Sequence, residues 1–156
     1  MKKADQLYRG RNAQFLMDNK RKQDSIDLEN RNALVNIFEE IGYPNFNKLG
    51  EEPYEYPSKY NIKVILLHTP DSIREHYFLP KLLEYVRSGE CNPIVYGALY
   101  DQLFLYNKMP QKYGTYIQKT PNLQSKDSIN YFRKKIGLPN YGYEKWRSRT
   151  LYGDRF

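Results

Sequence analysis

The side chains of this chain that could do chemistry are few, and the densest group is Pro110-Gln111-Lys112-Tyr113-Gly114-Thr115-Tyr116. It places an amide, two phenols, a hydroxyl and a glycine directly after an apolar helical run. Side chains of that kind, on a loop held by a rigid element, meet a ligand or one another. Two further groups could join them: His68, at the end of an apolar run, and Asp101, inside the helix that leads into the loop. Gathered around one hollow, they suit two chemistries. With Arg9 or Gln6 as a contributor, His68, Asp101, Gln111, Tyr113 and Thr115 make a hydrogen-bonding pocket for a small molecule or a protein segment. Alternatively, His68 acts as a general base oriented by Asp101, while Gln111 and the amides near Gly114 face developing charge, as in a small hydrolase or transferase.

Each residue also has a structural reading. A histidine before a helix is more often a capping or core hydrogen-bonder than a catalyst, and Asp101 can simply accept amides from the Gln111 loop. Gly114 answers a need for an unusual backbone angle or close packing.

Other arrangements are poorly represented. Cys91 is the only cysteine, so no intrachain disulfide forms, and His68 and His76 are the only histidines. No metal site or cofactor is expected. The sequence lacks a Walker loop, a Gly-x-Ser-x-Gly elbow and a His-Glu-x-x-His helix.

The charge of +7 is uneven: residues 106 to 156 carry eleven Lys and Arg against three acidic residues. Such a lobe attracts polyanions through its field and counterion release, and Tyr141, Tyr143 and Trp146 could stack on bases. A solvated basic surface accounts for the same residues, so nucleic acid is a further alternative and not the favoured partner. Sixteen tyrosines predict a core boundary laced with phenol hydrogen bonds. The longest apolar string, Val64-Ile65-Leu66-Leu67, is far short of a bilayer span. As written, the chain reads as cytoplasmic; the alternative is periplasmic or exported, with a leader removed before Met1-Lys2-Lys3.

The elements that must position these groups read as short helices in one domain over residues 1–156. Residues 1–20 form an N-terminal helix or arm with Leu7, Phe15 and Leu16. Ile26, Ala33, Leu34, Ile37, Phe38 and Ile41 share a helical face that Gly42 and Pro44 end. Residues 61–68 suit either a buried strand or a buried helix, which periodicity alone does not decide. Thr69 with Pro70, or Ser72 with Glu75, offers the next helix start, and Pro80 must kink or divide that helix. Asn92 and Pro93 open a helix with an inward stripe of Val95, Leu99, Leu103 and Tyr106. Alternation after Gln111 predicts one small β-hairpin near residues 111–124. Asp127 or Ser128 then caps a helix with Ile129, Phe132 and Ile136 inside, closed by Gly137 and Pro139. Residues 141–156 read as an aromatic, basic tail.

Nearly the whole chain resembles a bacterial family known as domain of unknown function 6624. The resemblance runs from Asp5-Gln6-Leu7-Tyr8-Arg9 through Asp27, Asn30, Gly42-Tyr43-Pro44 and Gly50 to His68-Thr69-Pro70, Leu79-Pro80 and Gly89. It continues with Asp101, with Gln111-Lys112-Tyr113-Gly114-Thr115 in the place of a Gln-x-Tyr-Gly-Thr-Gln motif, and with Arg133 and Ile136-Gly137-Leu138-Pro139. Two positions depart from the pattern: Gln102 stands where relatives often have arginine, and Tyr116 where they often have glutamine. The family has no assigned reaction, so the resemblance implies a site and not a chemistry. Its members often carry an export leader.

The expectation is therefore a mainly α, compact bundle of short helices with one small hairpin. It would act as a ligand-binding or interaction module.

Overall fold

The computed structural model describes residues 13–49, 62–116 and 123–153. Gln6 and Arg9 lie outside the described residues. The described chain is mainly helical, and it divides into two compact units, Met1–Arg74 and Glu75–Phe156. Among the described residues, no helix is long and apolar enough to cross a membrane.

In the first unit, α1 (Ala13–Asp18) and α4 (Ile62–Leu67) pack against the long α2 (Lys20–Glu40), and α3 (Phe46–Leu49) follows the turn after α2. Helix α2 buries Leu34 and Phe38 but also Gln23 and Asn30, so the inner face turns polar toward its N-terminus. Ile41, expected on that face, is exposed. Gly42 takes φ 74° beyond the helix end, and the Lys48 ammonium donates to the Ile41 carbonyl at 2.8 Å. Phe38 meets Tyr43 edge-on, with ring centroids 6.1 Å apart.

Residues 62–67 are helical and bury Ile65 and Leu66. The Thr69 hydroxyl turns back to donate to the Leu66 carbonyl at 2.7 Å, so it closes α4 and caps nothing ahead of it. The next helix, α5 (Asp71–Ile73), starts after Pro70 without a side-chain cap. Buried Arg74 donates through Nη2 to the carbonyls of Leu67 (2.9 Å) and Thr69 (2.8 Å), holding the turn that contains His68.

A π-helical turn at Arg74–Phe78 precedes α6 (Leu79–Arg87), where Pro80 occupies the first turn. Proline has no N–H and its ring crowds the carbonyl four residues back. Widening the turn just before Pro80 accommodates both demands.

In the second unit α6 packs on α7 (Pro93–Tyr106), and α8 (Lys126–Lys135) on α9 (Tyr141–Tyr152). Asn92 caps α7, its Oδ1 accepting from the Ile94 amide at 3.0 Å, with Pro93 at the first helical position. Val95 to Leu99 are buried without a break, and Asp101 and Leu103 with them, so α7 is surrounded rather than half-buried. Tyr106, the last residue of the expected stripe, is exposed. Helix α8 is capped by Ser125, two residues before the expected Asp127, and α9 by Asn140. Residues 141–152, expected as a tail, are this regular helix.

The expected hairpin near residues 111–124 is not seen among the described residues, which show one isolated parallel bridge between Gln111 and Leu123. Residues 117–122 of that span lie outside the described residues. Donors that a ladder would use are taken by Asp101 and Gln111.

Candidate functional site

Asp101 is wholly buried, and its carboxylate organises the loop after α7. Oδ1 accepts from the backbone amides of Lys112 (2.8 Å) and Tyr113 (2.9 Å), and Oδ2 from the amide and hydroxyl of Thr115 (2.8 Å each). Four donors converge on one anion. Burial raises the carboxyl pKa above its ordinary range, and the bonds from Tyr113, Thr115 and Lys112 pull it back down.

Gln111 closes the other side. Its Oε1 accepts from the Tyr116 amide at 2.8 Å and its Nε2 donates to the Tyr116 carbonyl at 3.1 Å, so a side-chain amide pairs with the backbone as a strand would. Between these ties Gly114 has φ 61°, and a Cβ there would lie 3.0 Å from the Tyr141 ring. Gly97 on α7 lets the loop approach the helix, because a Cβ would meet the Thr115 methyl at 3.2 Å.

Arg133 completes the arrangement, and its role was not anticipated. It is fully buried on α8, donates through Nη1 to the Tyr113 carbonyl at 2.8 Å and through Nε to the Pro139 carbonyl, and lies 3.6 Å from Glu144. Burial lowers its pKa, opposed by Glu144, Asp101 and Tyr141. A signal was present in the spacing. Arg133 stands four residues after Ile129 and three before Ile136, on the face that had to be inside.

The loop's outer rim is aromatic. Tyr113, almost entirely buried, meets Tyr96 and Tyr100 edge-on at centroid distances of 5.8 and 5.5 Å, and Phe104 stacks on Tyr100 at 4.7 Å. Burial, then the neighbouring Tyr96, Tyr100 and Asp101, raise the Tyr113 phenol far above its ordinary value. The Lys112 ammonium lies 4.7 Å from the ring centroids of both Tyr100 and Phe132.

The structure thus brings together Asp101, Gln111, Tyr113, Gly114 and Thr115. His68 belongs to the first unit, half-buried in the turn held by Arg74. Cys91 is buried, and among the described residues no cluster of His, Cys, Asp and Glu is arranged to hold a metal ion.

The outer side of α9 differs in character from this bonded interior. Tyr143 and Trp146 are 52% and 60% exposed, with ring centroids 5.7 Å apart, and Leu151 is exposed beyond them. Arg147 and Arg149 are exposed on the same helix, while Tyr141 is buried beneath Gly114. On α8, exposed Tyr131 carries the Lys135 ammonium 4.3 Å from its ring centroid.

No family model, curated protein or solved structure matches this chain.

Proposed function

We propose that this protein is an interaction module whose contact surface is the outer side of α9 and whose partner is a polyanion, single-stranded nucleic acid being the class that suits it. Kinship with the family of unknown function 6624 is part of the proposal and rests on the motifs between Asp5 and Pro139. The observation that carries the functional reading is the exposed Tyr143–Trp146 pair beside Arg147 and Arg149. Large aromatic rings left in water next to guanidinium groups match a strand that offers bases for stacking and phosphates for charge. The excess of basic residues after position 105 adds long-range attraction.

A small-molecule pocket has less support, because the carboxylate of Asp101 and the amide of Gln111 bond to the loop itself. Acid–base chemistry by Asp101 would require it to release one of four donors.

The test is fluorescence anisotropy with a labelled oligothymidine across a salt series. Binding should weaken steeply with salt, and Tyr143→Ala with Trp146→Ala should cost about tenfold or more in affinity. Replacing Arg147 and Arg149 with alanine should flatten the logarithmic salt slope by about 1.4, the value for two lost phosphate contacts on a single strand. Affinity no better than that of an unrelated protein of equal net charge, or indifference to both double substitutions, overturns the proposal.

A further inference from the structure

Lys112 sits in an unusual place for a lysine. Its ammonium has the ring centroids of Tyr100, Phe132 and Tyr113 at 4.7, 4.7 and 5.7 Å, so three rings converge on one cation. No carboxylate among the described residues forms an ion pair with it. The carboxylate of Asp101 is already filled by four donors, one of them the Lys112 backbone amide. The rings are themselves braced: Tyr113 stands at 84° to Tyr100, and Phe104 stacks behind Tyr100. Because the Lys112 backbone amide is held by Asp101 and the residue is half-buried rather than sealed in, rotating the stem withdraws the ammonium without breaking that bond.

We infer that Tyr100, Tyr113 and Phe132 form a binding site for a small organic cation of the quaternary ammonium class, occupied in the free protein by the Lys112 side chain acting as an internal competitor. Ring faces attract any cation within about 6 Å, most strongly when the cation is poorly hydrated. A quaternary ammonium carries the same charge as lysine but has no N–H groups to desolvate. It therefore gains more from this surface than the primary ammonium it displaces. Ligand and lysine exclude one another because both need the same three rings, while Lys135, whose charge reaches this spot, repels either cation alike.

The inference is independent of the nucleic-acid reading and is tested on the full chain. Tetramethylammonium chloride is titrated into the wild type and into Lys112→Ala, with sodium chloride at equal ionic strength as the blank, while NMR follows the Tyr and Phe ring signals. The alanine variant keeps the backbone amide that bonds to Asp101, and its thermal transition checks the fold; Lys112→Gln, which retains most of the stem, is the second vacated form. The expected result is saturable shifts at Tyr100, Tyr113 and Phe132 in both variants, at about tenfold lower concentration than in the wild type, which corresponds to losing a competitor worth about 1.4 kcal/mol. Adding Phe132→Ala should remove the response. A neutral compound with a similarly bulky tert-butyl head, 3,3-dimethylbutan-1-ol, should give at most a weak response. Equal affinity in wild type and variants, no saturation, or an equal response to the alcohol overturns the inference.

Discussion

Thr115 donates both its backbone amide and its hydroxyl to the same carboxylate oxygen of Asp101, each at 2.8 Å. One residue thereby closes the loop on the helix that precedes it, while the other oxygen holds Lys112 and Tyr113. The motif that stands out in the sequence is, in the fold, a device for fixing backbone.

This arrangement makes Asp101 a stability residue. Asparagine has one acceptor oxygen and would turn N–H donors toward donors, so Asp101→Asn should lower unfolding free energy by about 3 kcal/mol in urea denaturation. A loss within about 0.5 kcal/mol, the size of ordinary surface changes, would show that the four bonds matter little.

Gly114 and Gly89 separate backbone strain from crowding. Both have positive φ, 61° and 79°, but only at Gly114 would a Cβ strike a ring, whereas Gly89 has open space. Gly89→Ala should cost about 1 kcal/mol, from the left-handed conformation alone. Gly114→Ala should cost about 3 kcal/mol, because Tyr141 must also shift. Equal losses would remove the steric part of the argument.

Arg133 should not tolerate lysine. A guanidinium reaches the carbonyls of Tyr113 and Pro139 together, and a single ammonium cannot. Arg133→Lys should destabilise by about 1.5 kcal/mol and Arg133→Met by about 3 kcal/mol, the latter leaving the buried Tyr113 carbonyl and the Pro139 carbonyl without this donor. Thermal melts of the two variants would rank them, and a methionine variant as stable as wild type would reverse the reading.

Alkaline pH should unfold the second unit. Burial raises the phenols of Tyr96, Tyr100, Tyr113 and Tyr141 above the free value of about 10. Because the folded state holds these protons more tightly than the unfolded chain, their contribution is fully present below that value and is lost as pH rises through the raised folded values. Absorbance at the tyrosinate band should show a late fraction that titrates together with loss of helical circular dichroism. All tyrosines ionising in one step with helix retained would contradict this.

The features legible in the chain alone are those whose signals act over a few residues. Asn92 with Pro93 opens α7, Ile129 and Ile136 mark the inside of α8, and the glycines at 42 and 137 follow helix ends, because caps and helical periodicity depend on neighbours three or four positions away. The grouping of Gln111, Tyr113, Gly114 and Thr115 was legible for the same reason. Which way those groups face was not. The donors on Asp101 come from residues eleven to fourteen positions on, and Arg133 reaches back twenty to Tyr113, distances at which spacing carries no information. Helix α9 hid behind an aromatic composition that suits helix and tail alike, and only the seating of Tyr141 under Gly114 distinguishes them. Packing in three dimensions turned the polar atoms of this loop inward, since a buried amide or carboxylate must find partners wherever the fold supplies them. The same packing left Tyr143, Trp146 and the arginines of α9 facing water.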